Sequence, residues 1–198
     1  MGVLLMQILT TEGPRRFPMD FPRWTLLFYY SGDFQPVSAT ELLALAQMKH
    51  TFEKKQCDLL CISADRIASH LAFIKTLNRY RLAEYPAPIT FPLGEDPEGA
   101  LRRGWNLSPH QKYLWIFAPG GVPKAQFTYP AEVGANFTEA LRTLLALQTG
   151  KPTPSGWVPE AYPLALPPQT RAESDCFMSA NEKDGGIAID WYISFEAE

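Results

Sequence analysis

The stretch that decides the fold is Trp24-Thr-Leu-Leu-Phe-Tyr-Tyr30, which is followed by the turn-forming tripeptide Ser31-Gly32-Asp33. It is a continuous run of apolar and β-prone side chains without polar alternation. Such a run is typical of a strand that is buried on both faces of a parallel sheet. We therefore predict a central strand here, and the glycine after it marks a turn into the next element.

A helix is predicted directly after this turn, from Ser38 to about Lys55. Ser38 and Glu41 have the spacing of a capping box. In that motif the serine side chain accepts a hydrogen bond from a backbone amide of the first turn, and the glutamate returns to the amide of the cap. Apolar residues then recur at helical spacing, so we expect one face of this helix to pack on the sheet.

Strands and helices continue to alternate after this helix. Residues 57–62 are predicted as a second buried strand and residues 66–80 as an amphipathic helix. The order strand, helix, strand, helix indicates a parallel crossover unit. Four more elements are predicted in chain order: a short strand at 89–91, a short helix at 98–103, an antiparallel hairpin of 113–117 with 125–129, and a closing helix at 136–148.

The chain is predicted to contain one domain, residues 1–150, and an extended C-terminal arm, residues 151–198. Prolines cluster between Pro152 and Pro168. A proline-rich stretch favours extended backbone over a second packed domain. We therefore predict an α/β fold with a central mixed sheet flanked by helices, followed by the arm.

Several segments carry the signature of a known family. FYYSGDFQPVSATEL at residues 28–42 is similar to FFYPxDFTxVCPTEL, and SADRIASHLAF at 63–73 is similar to SVDSxxSHLAW. KYLWIFAPGG at 112–121 is similar to RAxFIIDxxG, and PSGW at 154–157 to PAxW. In this order the segments resemble the peroxiredoxins, specifically the alkyl hydroperoxide reductase C and thiol-specific antioxidant group. The resemblance implies a thioredoxin-like fold.

The positions that carry the chemistry of that family differ in this chain. By the resemblance, Ser38 occupies the position of the attacking cysteine and Thr153 that of the resolving cysteine. Gln35 stands in place of a threonine and Ser31 in place of a proline, and Glu41 is a further family-site position in the same segment. Lys112 replaces the arginine that lowers the pKa of the attacking thiol. It keeps the positive charge but loses the rigid two-pronged donor geometry.

These replacements predict a protein that keeps the peroxiredoxin fold but does not catalyse the peroxidase reaction. A peroxiredoxin needs a thiolate, which attacks the peroxide O–O bond and becomes a sulfenic acid, and a serine hydroxyl does neither. We therefore predict a pseudoenzyme that acts as a scaffold, interaction or regulatory protein. One alternative is a small-anion site made by Gln35, Ser38 and Lys112 at a helix N-terminus. The other is an antioxidant thiol peroxidase, an oxidoreductase, that uses Cys176.

The cysteines show neither metal-ligand nor disulfide-framework spacing, because there are three of them and no CxxC pair. Cys57 and Cys61 lie in one predicted strand at a separation of about 13 Å, so we expect two buried, inert thiols. The three histidines are scattered along the chain. We expect neither a metal site nor another cofactor.

Charge and hydropathy narrow the set of partners. The net charge is −3 and the charged residues are interspersed, which favours neither a nucleic acid nor a membrane surface as a partner. No apolar run approaches the length of a spanning helix, and we expect a soluble, cytoplasmic protein.

The apolar residues at 187–195 are expected to pack against another protein surface. Together with the resemblance, they favour a homodimer formed through the arm, and an unidentified protein partner is the alternative.

Overall fold

The computed structural model describes residues 6–17, 21–79, 85–174, 187–190 and 192–195. The chain forms two compact units, Met1–Phe137 and Thr138–Glu198, called here the first and the second unit. The predicted boundary at residue 150 stays a prediction. In chain order the elements are β1 (Met6–Thr10), β2 (Gly13–Phe17), β3 (Trp24–Tyr29), α1 (Pro36–Lys54), β4 (Cys57–Ser63), α2 (Ile67–Arg79), β5 (Leu93–Glu95), α3 (Ala100–Gly104), β6 (Gln111–Ala118), β7 (Val122–Pro130), α4 (Phe137–Gln148), β8 (Ile187–Asp190) and β9 (Ile193–Phe195).

A seven-stranded mixed sheet organises the first unit, with strand order β2-β1-β5-β4-β3-β6-β7. β3 pairs in parallel with β4, and β4 pairs in parallel with β5. The remaining neighbours are antiparallel. Phe28 of β3 lies opposite Cys61 on one side and Leu114 on the other. This topology confirms the predicted α/β fold with a central mixed sheet, and it confirms the strand at 24–30 as a central one.

Side chains are buried on both faces of the sheet, as a continuous apolar strand requires. From Thr25 to Tyr29 every residue of β3 is buried. Alternate residues point to opposite faces, so Leu27 and Phe28 belong to different halves of the core. One half is a cluster of ten buried residues: Ile8, Phe21, Leu27, Tyr29, Leu60, Ile62, Leu101, Tyr113, Trp115 and Phe117.

Two parts of the sheet differ from the prediction. The short strand predicted at 89–91 is instead β5 at Leu93–Glu95, and Ile89 and Phe91 are buried without forming a strand. The hairpin of β1 and β2, in which Ile8 pairs with Arg15, was not predicted. β2 is an edge strand with the sequence GPRRF, and its proline and arginines suit an exposed edge but hide the strand pattern.

The second unit has its own hydrogen bonds. The buried Trp157 donates its indole N–H to the carbonyl of Ala161 at 2.8 Å. β8 and β9 form an antiparallel pair, and Leu164 bridges to Phe195. The residues predicted to lie in an extended arm therefore include a short hairpin. Within the described ranges, no helix is long and apolar enough to cross a membrane.

Candidate functional site

The site lies at the start of α1, and the helix begins earlier than the capping box predicts. Gln35 is the N-cap, in an extended conformation, and Pro36 is in the first turn. Proline suits this position because its φ is already helical and its missing N–H leaves no donor unsatisfied. Ser38 is therefore not the N-cap. It lies inside the first turn, and its exposed fraction is 0%.

Glu41 makes contacts other than the predicted return to the cap amide. Its Oε1 accepts a hydrogen bond from the Lys112 ammonium of β6 and a second from the backbone N–H of Ala135 at 2.8 Å. Lys112 also donates to the carbonyl of Val133 at 2.8 Å. The side chains of Lys112 and Glu41 are 0% and 2% exposed. The pair therefore links α1, β6 and the segment after β7 in the interior of the first unit.

The electrostatics of this pair are set mainly by burial. Burial raises the pKa of Glu41 above its ordinary value, against the hydrogen bonds from Lys112 and the Ala135 amide and the charge of Lys112, which lower it. Because the ammonium and the carboxylate compensate each other, Lys112 brings no free positive charge to the start of α1. This weakens the predicted anion site, which relied on that charge.

Two side-chain oxygens near the start of α1 have no hydrogen-bond partner within the described protein. The Oγ of Ser38 and the Oε2 of Glu41 are buried without a hydrogen bond. The first intrahelical bond runs from the Ala39 amide to the Gln35 carbonyl at 2.9 Å. The amides of Val37 and Ser38 precede that bond, and both belong to the donors that a helix leaves free at its N-terminus. The helix thus starts at an exposed N-cap, and Ser38 and Glu41 are buried within its first two turns.

The other predicted site residues are less buried than Ser38, Glu41 and Lys112. Ser31 is half-buried and Gln35 is exposed at the surface. Thr153 belongs to the second unit, where it lines a cleft of about 460 Å³ with residues of α4 and the turn after it. In the first unit the structure thus brings together Glu41 and Lys112, and Ser38 is buried three residues before Glu41 on the same helix.

A second buried network holds the loop before α1, and the sequence did not reveal it. The Asp33 carboxylate contacts Nδ1 of His70 at 2.9 Å and accepts a hydrogen bond from the Tyr30 hydroxyl at 2.6 Å. The other ring nitrogen of His70 lies 3.1 Å from the Gly94 carbonyl. Burial acts to raise the pKa of Asp33, but the hydrogen bonds of His70 and Tyr30 outweigh it and hold that pKa below its ordinary value. The one indication in the sequence was that His70 lies in the segment 63–73, which resembles a family motif.

Asp65 fixes the same loop from the end of β4. Its Oδ2 accepts hydrogen bonds from the Asp33 amide and the Ser63 hydroxyl, both at 2.8 Å. Gly32 has a φ of +148°, and a Cβ at this position would lie 3.1 Å from the Asp65 carboxylate. The turn therefore requires glycine for its backbone and for the close approach of Asp65.

The two cysteines that the structure describes are not reactive thiols. Cys57 and Cys61 are both buried and both free. Burial raises the pKa of Cys57 to about 12 and that of Cys61 well above its ordinary value, so neither is a thiolate at neutral pH. Cys176 lies outside the described residues. In the part of the chain that the structure describes, no group of three or more His, Cys, Asp or Glu residues is arranged to hold a metal ion.

The fold and the position of the site, at the start of the helix after the central strand, define the class as thioredoxin-like. The sequence model of the AhpC/TSA family matches residues 19–132, more than half of the chain. The chain belongs to the AhpC/TSA family of peroxiredoxins, which confirms the resemblance stated above.

Individual relatives extend over nearly the whole chain. A peroxiredoxin of Aquifex aeolicus is 33% identical, and the match covers 93% of this chain and 89% of that protein. A peroxiredoxin of Thermoplasma volcanium is 30% identical over 94% of this chain and 92% of its own length. Among solved structures, a yeast mitochondrial 1-Cys peroxiredoxin superimposes with a TM-score of 0.82 at 25% identity, over 100% of this chain and 98% of that one. A cysteine-to-serine mutant of the peroxiredoxin 6 of Arenicola marina has a TM-score of 0.75 at 24% identity, over 88% and 89% of the two chains, and supports the fold alone.

Proposed function

We propose that this protein is a peroxiredoxin-fold protein that has lost thiol peroxidase activity and acts as a scaffold, interaction or regulatory protein. The observation that carries the proposal is Ser38. By the family motif it stands at the position of the attacking cysteine, and in the structure it lies buried in the first turn of α1. A hydroxyl at this position forms neither the thiolate nor the sulfenic acid that the reaction requires.

The surroundings of Ser38 support the same proposal. Activation of a cysteine thiol uses a helix N-terminus together with an uncompensated positive charge. Here the ammonium of Lys112 is bound to Glu41 and Val133, and Gln35 faces solvent. Cys57 and Cys61 do not replace the missing thiol, because burial raises the pKa of both. Their reduced, buried state is compatible with the cytoplasmic location that we include in the proposal.

The test is peroxide consumption by the purified protein, with excess dithiothreitol or thioredoxin as reductant. We expect no turnover above the protein-free rate. The Cys176→Ser variant is the matched control, since Cys176 is the thiol on which the alternative peroxidase depends. Turnover in the wild-type protein that disappears in Cys176→Ser would show that the reaction has moved to that thiol and would overturn the proposal.

We also propose that the second unit mediates a homodimer. Four apolar side chains of this unit are about half exposed or more: Val158, Tyr162, Leu166 and Tyr192. Burying them against a second copy removes apolar surface from water, which is the main driving force of such association. Light scattering coupled to size exclusion should give a dimer mass, and Leu166→Ser combined with Tyr162→Ser should shift the protein toward monomer. A monomeric wild-type protein at micromolar concentration contradicts this part of the proposal.

A further inference from the structure

The ring of His70 is enclosed by oxygen atoms that accept hydrogen bonds. The residue is 0% exposed, and its Nε2 lies 3.1 Å from the carbonyl oxygen of Gly94 on β5. Its Nδ1 lies 2.9 Å from one carboxylate oxygen of Asp33 and 3.1 Å from the other. The Tyr30 hydroxyl is 3.2 Å from Nδ1, but it donates its proton to Asp33 at 2.6 Å. Each ring nitrogen therefore faces an acceptor.

This geometry determines how many protons the ring carries. A neutral imidazole has one N–H donor and one bare nitrogen, which can only accept. In either neutral tautomer, the lone pair of the bare nitrogen would point at an oxygen lone pair, on Asp33 or on Gly94. An imidazolium donates from both nitrogens and satisfies both oxygens.

A proton on Asp33 would be the other way to satisfy these contacts. Burial favours it, but the hydrogen bonds of His70 and Tyr30 outweigh burial and hold the pKa of Asp33 below its ordinary value. Burial raises the pKa of Tyr30 and of Cys61 on β4, so both of these groups stay uncharged at neutral pH. Asp33 is therefore the ionised partner, and the second proton belongs to the ring.

Two further carboxylates lie around this pair. Asp65, which follows β4, accepts a hydrogen bond from the Asp33 amide at 2.8 Å. Glu95 of β5 accepts one from the first amide of α2 at 2.8 Å. Arg66, the cation next to Asp65 in the chain, is exposed and pairs with Glu98 at 3.4 Å. Because nearby negative charge stabilises a positive ring, these surroundings favour the imidazolium.

The loop that contains Asp33 has an unfavourable backbone conformation. Gly32 and Phe34, on either side of Asp33, have φ of +148° and +57°. Positive φ is rare for a phenylalanine, and a residue keeps such a conformation only where the surrounding contacts impose it. The Phe34 side chain is 59% exposed and contacts Phe73 of α2, with ring centroids 4.9 Å apart. The contacts of Asp33 therefore hold the loop in a conformation that it would leave without them.

We propose that His70 is a buried imidazolium that holds the loop 31–35 against α2 and β5, and that loss of one ring proton at alkaline pH releases this loop. A neutral ring has to give up its contact with either Asp33 or Gly94. The loop ends at Gln35, the N-cap of α1, so the start of this helix has a pH-dependent support. The inference does not depend on the proposed loss of peroxidase activity, because it involves neither Ser38 nor a thiol.

The ring nitrogens give the first measurement. In protein labelled with ¹⁵N-histidine, a long-range ¹H–¹⁵N correlation spectrum distinguishes a protonated ring nitrogen from a bare one. An ordinary histidine is neutral well above about pH 6.5, and we expect His70 to show two protonated nitrogens at about pH 8. His70→Gln identifies its signals, and the exposed His50 and His110 give reference signals for rings open to solvent. A bare nitrogen on His70 at this pH would overturn the inference.

The second measurement follows the loop. As the pH is raised from about 8 to about 10, the backbone amide resonances of Gly32, Asp33 and Phe34 should shift in one transition, together with the ring signals of His70. The transition should be absent from His70→Gln. His110→Gln is the matched control, since it removes an exposed histidine, and it should keep the transition. Loop amides that do not follow the ring, or that shift in His70→Gln as they do in the wild type, would contradict the release of the loop.

A variant of the partner tests the same pair if His70→Gln does not fold. Asp33→Asn removes the charge that stabilises the imidazolium, so His70 should show a bare ring nitrogen at about pH 8. Two protonated nitrogens in that variant would contradict the assigned role of Asp33. None of these results bears on the peroxide assay, so this inference and the proposed function fail separately.

Discussion

Replacing Lys112 by methionine is the sharpest test of the buried pair that links α1 to β6. Methionine fills a similar volume, so the main change is the loss of the charge and of the bonds to Glu41 and Val133. The Glu41 carboxylate, 3% exposed, would keep only the Ala135 amide as a partner. Removing one member of a buried ion pair costs about 3–5 kcal/mol of the free energy of unfolding, and we expect that loss for Lys112→Met.

The loss should depend on pH in a definite direction. Burial raises the pKa of Glu41 above its ordinary value of 4.5, and Lys112 opposes the rise. A carboxyl with a raised pKa in the folded state binds a proton more readily there than in the unfolded chain. Stability therefore falls as pH rises from the unfolded pKa through the folded one. Without Lys112 the pKa of Glu41 rises further, so Lys112→Met should be destabilised more at pH 8 than at pH 5.

The assay is urea denaturation followed by tryptophan fluorescence at both pH values, for each single variant and for Lys112→Met/Glu41→Gln. The double variant removes both charges and keeps an acceptor for Ala135, so it should be more stable than Lys112→Met alone. Lys49→Met is the matched control, since the pair of Lys49 with Glu53 lies at the surface and should contribute little. A loss below about 1 kcal/mol for Lys112→Met, or additive effects in the cycle, would refute the reasoning.

Three further results follow from the loop and the core thiols. Gly32→Ala places a Cβ 3.1 Å from the Asp65 carboxylate at a φ of +148°, so it should lower the free energy of unfolding by more than about 1 kcal/mol, measured by thermal denaturation. Asp33→Asn should cost about 2 kcal/mol at neutral pH. Because His70 helps to keep the pKa of Asp33 below its ordinary value of 3.8, the difference from wild type should shrink as pH falls below about 4. An unchanged difference at pH 3 would contradict this assignment. The two core cysteines should react with iodoacetamide only in denaturant, which mass spectrometry of the labelled peptides checks.

The main elements of the first unit could be predicted because their patterns are local. β3 and β4 are continuous apolar runs, and the hairpin of β6 and β7 has paired glycines at its turn, with φ of +81° at Gly120 and +75° at Gly121. The predicted start of α1 at Ser38 was wrong, and the reason is also local. Pro36 preorganises the first helical position, so the helix starts before Ser38, and the serine-to-glutamate spacing is not a capping box.

The contacts of the site could not be predicted because they are long-range. Glu41 and Lys112 are 71 residues apart in the chain, and Asp33 and His70 are 37 apart. Pairing of this kind depends on the sheet order, which places β6 beside β3, and the residue types alone do not reveal it. The family motif identified Ser38, Glu41 and Lys112 as members of one site, but it gave no sign that Glu41 would neutralise the lysine.

That neutralisation also bears on the proposed loss of turnover at the start of α1. Breaking an O–O bond requires a nucleophile and a donor for the oxygen that leaves. Ser38 supplies no thiolate, and the two donated hydrogen bonds of Lys112 go to Glu41 and Val133. Under the proposed function, neither residue therefore drives the reduction of a peroxide.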